Sequence, residues 1–332
     1  MQRVLDPAQI EAFGQRAIPR IRLPDSTHVF STRAIRFSKL SEGHAVGDYL
    51  RLMGVLADAQ QSALNARMIR GVETSAADGA AQFGVQNEQR LRLAREHGMP
   101  PLQASAWPRA EGWRTVLSEL CAAVATAPGY PEGVARICRD IQTLPVAQLE
   151  AQADLLLGAG VSARPTGGEA QIDASMAPFI MAALQVYWTS LLASLNHDEV
   201  SENIGRVDVP GVCPVCGTEP VASIVRAEKA YQGYRYLHCA LCATEWHLVR
   251  IKCSHCESTE GIHYHSIEGG SSALRAEACD HCKTYRKICY QEHDRDVEPL
   301  VDDLASLALD LLMTEAGFQR ASSHPLLWQA GS

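Results

Sequence analysis

Apolar residues return every three or four positions from His44 to about Arg70, placing Val46, Tyr49, Leu50, Met53, Leu56, Leu64 and Met68 on one face of a predicted helix. A second helical stretch is expected over Val85–His97, stopped by Gly98-Met99-Pro100-Pro101. After a turn at Trp107-Pro108, Trp113, Val116, Leu117, Leu120, Cys121 and Val124 form the stripe of an amphipathic helix. The next opens at Pro131 and aligns Val134, Ile137, Cys138 and Ile141; another runs from Pro145 to Leu157. Cys121 and Cys138 on these stripes read as small core hydrophobes. Beyond a loop at Gly158–Ala170, an uncharged run from Ala174 to Asn196 predicts a buried core helix. A membrane span would be purer and have basic flanks, whereas Pro178 and Gln185 interrupt this run and Asp173, Asp198 and Glu199 border it.

The first 25 or so residues, with Pro7, Pro19 and Pro24, read as an arm. In Ser31–Phe37, Arg33 and Arg36 are expected to be surface arginines, a partner-binding pair being the alternative. From Val207 onward valine, proline and glycine replace the helical vocabulary. Short strands near Ala222–Val225, Tyr234–His238, Glu245–Val249, Ile262–His265, Ala273–Glu277 and Tyr285–Cys289 would make two small antiparallel sheets. After Asp296 a last helix is expected, with Leu300, Leu304, Leu307 and Leu311 on one face and Asp302, Asp303 and Asp310 turned away. The fold class is therefore α+β: an arm (1–25), an all-α domain (26–205), two tandem zinc-ribbon or rubredoxin-like modules (206–250 and 251–295), and a C-terminal helix packing on the body (296–332).

The modules are defined by cysteine. Eight of the 11 cysteines form four CxxC pairs: Cys213/Cys216, Cys239/Cys242, Cys253/Cys256 and Cys279/Cys282. Moving the first four by 40 residues lands each on one of the second four, and carries Glu228 to Glu268, Arg235 to Arg275 and Thr244 to Thr284. The chain has thus duplicated one unit, C-x2-C-x22-C-x2-C. A CxxC loop lets two thiolates reach one tetrahedral ion, so the eight cysteines are the candidate metal ligands. A duplicated unit should close on itself, which favours sequential over cross-braced pairing. Four thiolates suit zinc and a rubredoxin-like iron equally. Metal would hold small sheets that have too little core to fold unaided; redox or sulfur chemistry at the thiolates is the alternative. The knuckle Cys213-Pro214-Val215-Cys216-Gly217 has the residues such a turn likes, whereas Cys253-Ser254-His255-Cys256-Glu257 has neither the proline nor the glycine. His238, His255 and His281 are expected to face outward, and Cys289 to be a packed strand residue.

At 332 residues, 46% hydrophobic and 20% charged, the chain is long enough for two cores. The net charge of −8, and a near balance of charge through the cysteine region, argue against nucleic acid as a partner. The N-terminus lacks a secretory h-region, so a cytoplasmic protein without membrane insertion is expected, where CxxC pairs serve metal or redox roles before disulfides. GxSxG, GxxxxGK[ST], HExxH and dinucleotide motifs are absent, which favours a protein that is not an enzyme.

Taken together, Cys213–Val225, Arg235–Cys256, Ala276–Lys287 and the tail Val297–Arg320 resemble the FdhE family of formate dehydrogenase accessory proteins over nearly the whole chain. The resemblance implies a cytoplasmic assembly factor that binds the catalytic subunit of respiratory formate dehydrogenase before its export. It also implies that Cys213, Cys216, Cys239, Cys242, Cys253, Cys256, Cys279 and Cys282 hold iron, with zinc as the alternative. Trp246 is expected to pack between the modules. A thiol redox or sulfur-relay protein is the competing function.

Overall fold

The computed structural model describes residues 20–74, 89, 92–94, 96–158, 172–195, 211–228 and 232–328. It opens on a two-residue strand, β1 (Ile21–Arg22), followed by helices α1 (Val29–Ser41), α2 (Gly47–Thr74), α3 (Gly112–Thr126), α4 (Glu132–Thr143), α5 (Val146–Gly158) and α6 (Ala177–Ala193). The expected stretch Val85–His97 lies partly outside the described residues, and those described within it are helical. The expected loop after Gly158 lies outside them, as does the arm before Arg20. On α3 every residue of the predicted stripe is buried. Helix α6 is buried almost all round, polar Gln185 and Thr189 included. Among the described residues no helix is long and apolar enough to cross a membrane.

Strands β2 (Pro220–Val225), β3 (Arg235–Cys239), β4 (Glu245–His247), β5 (Ile262–His265), β6 (Leu274–Cys279) and β7 (Thr284–Tyr290) follow. Two short helices, α7 (Pro299–Leu304) and α8 (Leu307–Glu315), and a strand β8 (Gln319–Arg320) close the fold. The duplication is visible as two three-stranded units, β4-β3-β2 and β7-β6-β5. They are not two sheets, as expected, but one. Strand β2, at the edge of the first unit, pairs in parallel with β7, the last strand of the second, with Ser223 opposite Ile288, Ile224 opposite Cys289 and Val225 opposite Tyr290. Main-chain pairing of this kind has no side-chain signature, so the repeat alone could not reveal it. β8 adds along the other half of the same β7 edge, and β1 caps β4, with Ile21 opposite Trp246. Part of the predicted arm is therefore a strand.

The final segment departs further from expectation. The predicted single helix breaks at Ala305–Ser306. Asp302 and Asp303, expected in solvent, are buried. So are Arg33 and Arg36, expected on the surface. The two corrections explain each other. Glu298 caps α7, its Oε2 accepting the Val301 N–H at 2.7 Å, and Asp302 Oδ2 accepts the Glu298 N–H at 2.8 Å, a reciprocal cap. Arg33 Nε donates to Glu298 at 2.9 Å, while Arg36 grips Asp302 through Nε at 2.9 Å and a second nitrogen at 2.5 Å. Burial alone would push Arg36 down, but Asp302 and Asp294 outweigh it and hold the guanidinium above its ordinary value. One turn of α1 thus clasps the cap of α7.

A single hydrophobic core runs from Phe30 through α6 and includes Cys213, Val215, Cys216, Cys239, Leu241 and Cys242 of the first unit. The second unit has its own cluster, in which Tyr285, Leu274 and Cys289 are covered by Leu309, Met313 and Phe318. Leu300, Val301 and Leu304 of α7 join the main core. The C-terminal segment therefore packs on both halves.

Candidate metal centres

The structure gathers the thiols in the sequential arrangement. Cys213, Cys216, Cys239 and Cys242 form one group, Cys253, Cys256, Cys279 and Cys282 the other, with the sulfurs of each within 4.8 Å of one another. In the first, Cys213 Sγ lies 3.6 Å from Cys242 and Cys216 Sγ 3.4 Å from Cys239. In the second the corresponding distances are 3.8 Å and 3.7 Å. A tetrahedron with metal–sulfur arms of about 2.3 Å has edges of about 3.8 Å. Each group therefore fits one ion. The separations are far too long for disulfides, which close to about 2 Å.

Three of the four knuckles share one main-chain bond. Gly217, Glu257 and Lys283 donate their N–H to the carbonyl of Cys213, Cys253 and Cys279, at 2.8, 3.2 and 2.9 Å. The residue after each second cysteine is left-handed: Gly217 at φ 74°, Ala243 at 57°, Glu257 at 64° and Lys283 at 55°. The Cys253 knuckle thus makes the turn without a glycine, at a backbone cost. The next residue always carries a hydroxyl: Thr218, Thr244, Ser258 and Thr284. Thr218 Oγ1 stands 3.1 Å from both Cys216 and Cys239, Thr244 Oγ1 3.1 Å from Cys242, and Thr284 Oγ1 3.0 Å from Cys282. The pattern C-x2-C-x-T, readable in the sequence, marks these sulfur-facing hydroxyls, whereas the Ser258 hydroxyl turns to Glu260 O at 3.2 Å. Main-chain N–H groups add to them: Leu241 and Cys242 donate to Cys239 Sγ at 3.3 Å, and His255 to Cys253 Sγ at 3.4 Å.

The two groups differ in setting. All four sulfurs of the first are sealed in the helical core. Leu102 N–H donates to Val215 O at 2.9 Å and Ala104 N–H to Cys216 O at 2.8 Å, clamping one knuckle. Gln185 Nε2 donates to Ala240 O at 2.8 Å, clamping the other, while Gln60 Nε2 donates to Gln185 Oε1 at 3.0 Å. The polar residue that interrupts the apolar run is thus the link between helix and knuckle. In the second group Cys253 and Cys279 are buried but Cys256 and Cys282 are partly open to solvent.

Burial and the neighbouring thiols push Cys213 well above the ordinary thiol range. Burial also raises Cys242, whereas at Cys239 hydrogen bonds from the other thiols and Thr218 outweigh burial and hold it well below that range. In the second group burial pushes Cys253 up to about 12. Four thiols so enclosed cannot all ionise unaided; a bound cation supplies the compensating charge. When bound, iron or zinc would supply that charge and a rigid tetrahedral junction between the knuckles.

His255 and His281 are exposed, as expected. His238 is not. It is buried, its Nε2 accepting from Arg33 at 3.1 Å and its Nδ1–H donating to Glu245 at 3.2 Å. It links the α1–α7 clasp to the strand that leads into Cys239. Burial opposes ionisation of Glu245, but Arg226 and His238 hold its carboxyl far below the usual range. Cys289 is fully buried and burial raises its thiol well above the ordinary range, so it is a packed strand residue. Cys121 and Cys138 are buried in the helical core. Trp246 is half-buried and packs against the main core.

Comparison with known proteins matches three family models in order: FdhE, N-terminal, over residues 18–204; FdhE, central domain, over 212–250; and FdhE, C-terminal domain, over 251–327. The chain is 37% identical to a protein called FdhE homolog from Cronobacter sakazakii, covering 98% of this chain and 97% of that one. It is 37% identical to protein FdhE of Salmonella enteritidis, covering 94% and 92%. The crystal structure of the FdhE protein from Pseudomonas aeruginosa superposes with a TM-score of 0.76 at 36% identity, over 94% of this chain and 100% of the other.

Proposed function

The chain belongs to the FdhE family, and from that premise we propose that it is a cytoplasmic assembly factor that binds the catalytic subunit of formate dehydrogenase during maturation. Cys213, Cys216, Cys239 and Cys242 hold one metal ion and Cys253, Cys256, Cys279 and Cys282 a second. Iron is the first assignment and zinc the alternative, since four thiolates accept both. The protein does not itself catalyse a reaction.

The observation that supports this most is the way the metal-binding sheet is built into the body. Knuckles clamped by Leu102, Ala104 and Gln185 make the first centre part of one rigid core. A buried, fully ligated ion of this kind stabilises a surface; it offers no open coordination position for substrate. Relay chemistry at free thiols would need accessible sulfurs, and all four of the first centre are buried. The test is co-expression of the tagged chain with the catalytic subunit. The subunit should co-purify with it, and persistent failure to do so would remove this function.

A further inference from the structure

The sheet has two ends. One is closed by β1, which pairs with β4; the other is β5. Antiparallel pairs alternate between bonded and non-bonded positions. Asp280 N–H donates to Gly261 O at 2.9 Å, so the alternation turns the main chain of Ile262 and Tyr264 away from β6. Among the described residues no strand pairs with them. Exposed edges are commonly guarded by lysine or proline, and Ile262–His265 contains neither.

The duplication states what such an edge accepts. Tyr264 lies opposite Glu277, and Ser223 lies opposite Leu237. Leu237 and Glu277 are equivalent under the 40-residue period, so Tyr264 occupies the register position of Ser223. In the first unit that edge is filled by β7, which runs parallel and sets Ile288 opposite Ser223 and Tyr290 opposite Val225. Val225, Ile288 and Tyr290 pack together there as an apolar cluster. Beside β5 an apolar surface is present and exposed: Tyr264 is 45% exposed, and Val249 and Ile251, in the link between the two units, are 59% and 67% exposed. The Tyr264 hydroxyl reaches the Arg250 carbonyl at 3.4 Å, which sets Tyr264 against the chain between Val249 and Ile251.

We propose that the outer edge of β5 receives an extended segment of the client protein as an added parallel strand, with apolar side chains resting on Tyr264, Val249 and Ile251. The segment would be uncharged and apolar at alternate positions, as Ile288 and Tyr290 are in the strand that fills the equivalent edge. The main chain supplies affinity and the patch supplies selection. This rests on the client-binding function proposed above.

The experiment uses the full tagged chain with the formate dehydrogenase catalytic subunit. Tyr264→Pro removes an outward N–H and the hydroxyl's bond to Glu277 while leaving the main-chain bonds to β6, since proline is tolerated where an edge N–H faces solvent. Ile251→Asp places a charge in the patch. Each should lower the captured subunit by about tenfold or more, as loss of a central contact does, with metal content per chain unchanged. In the wild-type complex the amides of Ile262 and Tyr264 should exchange more slowly than in the free chain, a readout that needs no variant to fold. Capture by the variants equal to wild type, or unchanged exchange at β5 in the complex, overturns the edge assignment and leaves the client-binding function standing. No capture by the wild type removes both. A dimer of the free chain that Tyr264→Pro abolishes assigns the edge to a second copy and likewise overturns the proposal.

Discussion

Glu257 holds φ at +64° in the turn where the first knuckle uses Gly217 at +74°. A side chain in this region costs about 1–2 kcal/mol, partly offset by the chain entropy a glycine would lose. Its half-exposed ion pair with Lys252 contributes little. Glu257→Gly should therefore raise stability by about 0.5–1 kcal/mol, read as a higher thermal midpoint of the metal-loaded protein. An unchanged or lower midpoint would mean that the turn stores no strain. Gly217→Ala should act oppositely, since a Cβ there would meet the Gln103 amide at 2.8 Å.

His324 sets a pH dependence at the same scale. Its Nε2–H donates to Leu300 O at 2.9 Å and its Nδ1 accepts the Leu326 N–H at 3.0 Å, so the neutral ring uses both nitrogens. Burial pulls its pKa down to about 4 from 6.5. Between these values the unfolded chain binds the extra proton, so this contribution is complete above pH ~6.5 and is lost as pH falls toward ~4. Glu245 and Glu298, held below the carboxylate range by cationic neighbours despite burial, add acid sensitivity at lower pH. Denaturation midpoints measured from pH 7 to 5 should fall for the wild type and fall less steeply for His324→Gln. Equal slopes would show that His324 does not carry the effect.

Among elements, the knuckles were the most legible. Their spacing and period were enough to group the sulfurs, because CxxC loops are local and the duplicated unit closes on itself. The α1–α7 clasp was not. Arg33 and Arg36 are an i, i+3 pair and Glu298 and Asp302 a reciprocal cap, but nothing in a charge pattern says that a cation 265 residues away will be its partner. Polar residues read as solvated unless the sequence names their partner, and here it does not. The difference between the two centres was also hidden, because it comes from the helical core wrapped around one of them. That difference predicts two phases of metal release to a chelator. The second centre, with Cys256 and Cys282 partly open, should release first, at least about tenfold faster, as local openings of weakly packed segments precede global ones. Cys256→Ser should remove the fast phase alone. A single phase for both ions would contradict the asymmetry.

At the scale of the molecule, the helical half and its buried stripes followed from periodicity, and residues such as Trp113, Leu117 and Leu120 lie where the pattern put them. The joining of the two repeats into one sheet did not follow, since strand edges pair through main-chain groups common to every residue. The joined sheet gives the molecule its form: β1 closes one end, α7 binds the sheet to the body, α8 covers the second unit, and among the described residues no strand covers the outer edge of β5. On the function proposed above, the metal-clamped sheet displayed on a helical core serves as a binding surface rather than a reaction vessel. Native mass spectrometry of the tagged chain co-expressed with the formate dehydrogenase catalytic subunit tests this most directly. The account predicts a complex of the two proteins in which the chain retains two metal ions. A chain that travels alone, or one whose eight cysteines hold no metal in the complex, would contradict it.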